Sequence, residues 1–248
     1  MHKALLQVSS ATLLLAGALS VVTGVGFAIV ARAVSQRLAS DAARLARRAH
    51  TAWWLCLGAY LVLQGSLTMA AGVGALDLGT YLGSRIVAIP LLCASVWGLT
   101  FYLLYLYTGR TSAAIPLALL YLVAAATFAY ATFSGPQTLR VKTWLVEVDD
   151  SAPLYRLVYA VVGLPPILAS LGYFGLLRRV QDPEKRYRIA LLGGSILAYL
   201  GGGLAARLFA NDVVIFLTLV VLGLGAAVAS LAAYYPPAFV RRRLHPSA

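Results

Sequence analysis

The chain of 248 residues is 61% hydrophobic and 11% charged, with a mean hydropathy of +0.84, which excludes an ordinary soluble domain. Its net charge of +12 could suit nucleic acid, but the excess sits in short connections between apolar stretches, where anionic lipid is the expected counterpart and nucleic acid is not. Cys56 and Cys93 both lie within apolar stretches, so the fold is not expected to depend on disulfides.

Seven apolar stretches follow one another, roughly 4–34, 49–75, 81–108, 113–134, 153–177, 187–209 and 213–235. Each has at least about 20 residues, enough to cross the hydrocarbon core as a helix. The first carries its basic cluster after it, the reverse of a cleaved leader, so it is expected to be a helix of the mature protein. Residues 35–50 repeat Leu38, Ala42, Leu45 and Ala49 against an arginine face, the pattern of an interfacial amphipathic helix or a prolongation of the first span. Trp53 and Trp54 then open the second span as aromatic belt residues, and Gln64 and Ser66 follow in its far half. The third span carries Arg85 one turn in, then Pro90, and ends on Phe101, Tyr102, Tyr105 and Tyr107, read as interfacial anchors.

The connection 135–152 alternates β-branched and aromatic residues around Trp144, which predicts a short strand or hairpin, either a lid or a passive linker. Pro165-Pro166 should bend the fifth span, and the carbonyls it frees must face protein or a cavity. Glycines at 193–194, 201–203, 223 and 225 predict close packing of the sixth and seventh spans. Tyr199 and Arg207 sit in the same half of the bundle as Arg85, and Asp212 opens the seventh span, where it is expected to pair with Arg207 across a short turn.

Charge sorts between the two sides. The connections that include 32–50, 109–112, 178–188 and the tail 238–248 hold 14 basic residues and three acids; the opposite set, with nearby span ends, holds six and five. The positive-inside rule then predicts an all-α membrane protein: a seven-transmembrane-helix bundle spanning 1–248 as one domain, N-terminus outside, C-terminus cytoplasmic, multi-pass in the cell membrane.

Elimination narrows the chemistry. The seventh span has no lysine for a retinal Schiff base. None of His2, His50 and His245 lies deep in a span, so no bis-His haem is expected. No span has a central Asp or Glu, as proton and sodium carriers usually need. No paired acidic site, HExxH, GxSxG or CxxC occurs, so neither enzyme activity nor a cofactor or metal is expected. What remains is an outward-facing pocket of Arg85, Gln64, Tyr199, Arg207, Asp212 and Trp144, suited to a small amphipathic or anionic ligand.

The run Leu104–Arg110, LYLYTGR, closing a third helix before a short basic turn, resembles the seven-helix membrane sensor region that precedes some bacterial and archaeal histidine kinases. The resemblance implies a sensor-like bundle, and no output domain is expected after Tyr234. A more distant resemblance, in topology and in Arg85 and Asp212, is to microbial rhodopsins lacking the retinal lysine. The expected function is therefore a receptor-like or ligand-binding membrane protein. Its expected partners are membrane lipid and a separate cytoplasmic or membrane signalling protein. A small-molecule transporter or channel and a carotenoid- or lipid-binding protein without covalent retinal are the alternatives.

Overall fold

The computed structural model describes residues 2–36, 41–134, 137–142, 144, 146–148, 153–209 and 218–244. In order they form α1 (His2–Ser35), α2 (Asp41–Gly72), α3 (Leu78–Thr108), α4 (Ala114–Phe133), a hairpin of β1 (Leu139–Val141) and β2 (Val146–Val148), and α5 (Pro153–Gly175). Then come α6 (Pro183–Phe209), α7 (Gly223–Tyr234), entered through a π-helical turn (Thr218–Leu222), and α8 (Ala238–Leu244). Stretches of α1 to α5 are long and apolar enough to cross a membrane, so the chain is a helical multi-pass membrane protein. Leu15, Ile29, Ile86, Ile115, Leu122 and Leu168 are exposed on these helices, as lipid-facing positions should be.

Neighbouring helices pack antiparallel, which gathers the basic connections at one end and the hairpin at the other. The tightest pair is α1 with α2. Gly17 meets Gly65 and Gly24 meets Gly58, seven residues apart on both helices. A Cβ on Gly17 would lie 2.5 Å from the Gly65 carbonyl oxygen, and one on Gly24 would lie 2.6 Å from that of Gly58. These backbones touch because neither helix carries a side chain there. The sequence points to α6 and α7 for such contacts instead. Gly193 does pack on Tyr173 and Gly223 on Thr23, but Gly201, Gly203 and Gly225 meet nothing within 4 Å among the described residues.

The segment 41–50 is neither a surface helix nor a prolongation of α1; it forms the first turns of α2. Ala46 and Ala49 are buried against Phe101, while Leu45 of the expected apolar stripe is exposed. The reason is the close approach of α3: Gly98 lies so near that a Cβ on it would be 2.4 Å from the Ala49 carbonyl oxygen.

The Pro165-Pro166 pair sits inside α5. Pro166 has no N–H for the Val162 carbonyl four residues back. The Tyr121 hydroxyl of α4 reaches that carbonyl at 3.5 Å and also contacts Thr100 Oγ1 of α3 at 3.0 Å. The freed acceptor therefore faces protein, as the sequence requires.

Candidate functional site

The hairpin closes one end of the bundle. Its three-residue strands pair antiparallel with Arg140 opposite Glu147. Val146 is buried against Leu13 of α1, Leu67 of α2 and Tyr81 of α3, and the Tyr81 hydroxyl donates to the Val146 carbonyl at 3.3 Å. Trp144 packs beside Ala16 of α1 and Val220 of the π-helical turn. The expected strands are present, and their apolar residues tie α1, α2 and α3 together at that end.

One turn below Tyr81 lies Arg85, 8% exposed, its guanidinium carbon 5.9 Å from the Tyr81 ring centre. That is cation–π range. Arg85 is the one buried arginine, lysine or acid among the described residues. Asp77, the acid that precedes α3, is engaged at the start of that helix. Its carboxylate caps α3, accepting from the Thr80 N–H at 2.9 Å and the Thr80 hydroxyl at 2.6 Å. Those bonds hold the Asp77 carboxyl below its ordinary range. Gln64 of α2 carries a buried Nε2 with no hydrogen-bond partner among the described residues. Such a donor costs free energy unless something accepts from it.

The remaining predicted residues distribute differently. Tyr199 lies in the central core: its ring meets Phe27 edge-on at 6.0 Å and touches Gly223 of α7. Arg207 lies on α6, but its side chain, like all of Asp212, falls outside the described residues, and so does their expected pairing.

A second polar cluster, at the basic end, escapes the sequence reading. His50, at the start of the second span, is 1% exposed, in the third turn of α2. The indole N–H of Trp54 donates to His50 Nε2 at 3.0 Å. Nε2 is therefore an acceptor, and in the neutral ring Nδ1 holds the proton and donates to the Tyr234 hydroxyl of α7 at 3.0 Å. The Tyr102 ring stacks on the imidazole at 3.8 Å and 10°. Trp53 stacks on His50 at 5.6 Å, and Trp54 packs on Phe27 at 4.9 Å.

These contacts correct two expectations. Trp53 and Trp54 are 2% and 0% exposed, hence core rather than belt residues, and Phe101 is fully buried rather than an interfacial anchor. The available signal was the spacing of His50, Trp53 and Trp54, which places all three on one helical face; the arginines at 44, 47 and 48 obscured it. With both ring nitrogens engaged, His50 has no lone pair left for a metal. No three of His, Cys, Asp and Glu come together among the described residues.

Comparison with known protein families, with curated proteins and with solved structures returns no match. The site must therefore be read from its own chemistry.

Proposed function

We propose that this protein is a receptor-like, ligand-binding bundle of seven spans in the cell membrane, with its N-terminus outside and its C-terminus in the cytoplasm. The 14-to-6 partition of basic residues supports that orientation. α6 and the π-turn with α7 supply the sixth and seventh spans. The hairpin is then an external lid.

The observation that carries the reading is the burial of Arg85. A guanidinium at membrane depth is costly, and such groups face inward and mark sites. Arg85 would receive a carboxylate or other anionic headgroup, with the Gln64 amide as a second donor and Trp144 and Tyr81 as aromatic cover. Transmission would run along α3. Arg85 and Tyr102 are 17 positions apart on this helix, about 26 Å, and Tyr102 stacks on His50. Displacing α3 at the lid would strain the His50 cluster, beside the basic connections offered to a separate signalling partner.

The test is a thermal-shift screen of purified protein in detergent with small carboxylates and long-chain carboxylate amphiphiles. A stabilising ligand whose effect disappears in Arg85→Ala, while that variant stays folded, supports the reading. Uptake of the same compounds into proteoliposomes would favour a transporter, and visible absorption by the purified protein a pigment-binding one. A reporter after Ala248 that is exposed outside the cell would overturn the topology.

A further inference from the structure

At the basic end, remote from Arg85, the C-terminal halves of α3 and α5 part to leave a cleft of about 550 Å³. That is within the range of small-molecule sites. Its wall is apolar, from Leu171 and Phe174, and its base is open because Gly175 carries no side chain. Tyr107 stands on one rim, and Arg178 and Arg179 stand on the other. The cleft lies at membrane-interface level, since the membrane-crossing stretch Ala160–Arg178, which runs from α5 through a 3-10 turn (Leu176–Arg178), ends there.

Among the described residues the arginines at the rim have no acidic partner. The two acids of the following connection are taken: Asp182 pairs with Lys185 at 3.7 Å and Glu184 pairs with Arg188. Arg178 and Arg179 are exposed and make no ion pair among the described residues. Tyr107 is likewise exposed.

We infer that this cleft binds an anionic glycerophospholipid, with one acyl chain along Leu171 and Phe174 and the phosphate between Arg178, Arg179 and Tyr107. An apolar slot ending in two guanidiniums matches such a molecule in both halves. A zwitterionic lipid fills the slot equally well but brings its own cation to the arginines. The inference needs only that the bundle is embedded in lipid, and stands apart from the receptor reading.

The experiment uses full-length protein and native mass spectrometry after equilibration with micelles containing phosphatidylglycerol or phosphatidylcholine. Wild type should retain phosphatidylglycerol preferentially. The double variant R178Q/R179Q should bind it about thirtyfold more weakly, the product of two interfacial arginines. Gly175→Leu keeps both arginines and puts a side chain in the slot, its Cβ meeting nothing within 4 Å. It should lose the bound lipid while melting like wild type. Three results would overturn the site: equal retention of both lipids; a loss in R241Q/R242Q as large as that in R178Q/R179Q, which would mean diffuse surface charge; or displacement of the lipid by inorganic phosphate alone.

Discussion

The two ends of this bundle handle charge in opposite ways. The basic end carries most of the arginines, yet Arg32, Arg44, Arg48, Arg110, Arg178 and Arg179 are all exposed. Beneath them the core is aromatic, and the polar atoms of His50 and Trp54 are mutually satisfied. The hairpin end has nearly balanced charges but buries one, Arg85, with a Gln64 amide nitrogen left over. Satisfied networks rigidify, whereas unsatisfied buried groups mark places where something else is accommodated. Buried atoms without a partner among the described residues occur at both ends, with Arg188 Nε and Ser230 Oγ at the basic one, so it is the buried guanidinium of Arg85 that sets the hairpin end apart.

The largest expected effect uses one helix and one substitution. Gly98→Val at the basic end drives a branched side chain into the Ala49 backbone, already 2.4 Å from the position of a Cβ. No monodisperse folded protein should survive in detergent. Gly83→Val, near the hairpin end of the same α3, meets nothing within 4 Å and should melt like wild type. Equal behaviour of the two would erase the difference in packing between the ends.

Tryptophan truncation sharpens it next. Trp54 is fully buried, so Trp54→Ala should cost about 3–5 kcal/mol. Trp144 is half-buried on the hairpin, and Trp144→Ala should cost about 1–2 kcal/mol by the same scale. Reversible unfolding in mixed micelles measures both. A larger loss at Trp144 would make the hairpin a structural keystone rather than a cover.

Within the basic end, His50→Phe preserves a ring to stack on Tyr102 but removes an acceptor from Trp54 and a donor from Tyr234. Each group left without its partner costs about 1–3 kcal/mol if it stays buried. Adding Trp54→Phe removes one orphaned donor, so the double variant should be more stable than the two single losses sum to. Strict additivity would mean that the Trp54–His50 hydrogen bond contributes nothing.

Much of this was legible in the sequence, and the rest failed for identifiable reasons. The apolar stretches fix the helices because each must satisfy its own backbone. The alternation around Trp144 fixes the hairpin, and the prolines of α5 require a donor for the freed carbonyl, which Tyr121 supplies. Arg85 stands out in sequence because a charge one turn into a span is rare. His50 does not, since whether a residue beside an arginine cluster is buried depends on which helix covers it. The Gly17, Gly24, Gly58 and Gly65 contacts are pairwise between helices, and a seven-residue spacing on one helix does not name the other. The LYLYTGR run has a local explanation in part: Gly109, at φ 69°, ends α3 in the left-handed conformation, its N–H bonding to the Tyr105 carbonyl at 2.7 Å.

The smallest effect belongs to Asp77, at the exposed start of α3. Its carboxylate caps the helix through Thr80, and those bonds lower its pKa below the unfolded value near 4. The sign follows from that direction. A depressed carboxyl stabilises the fold above the unfolded pKa, and the contribution disappears as pH falls through the folded one. The melting temperature of wild type should therefore dip on acidification below about pH 4. Asp77→Asn keeps a capping oxygen that does not titrate, so its melting temperature should fall less over that window. Parallel curves would place the acid sensitivity of this end in another carboxyl, and the hairpin residue Glu147 would be the next to replace.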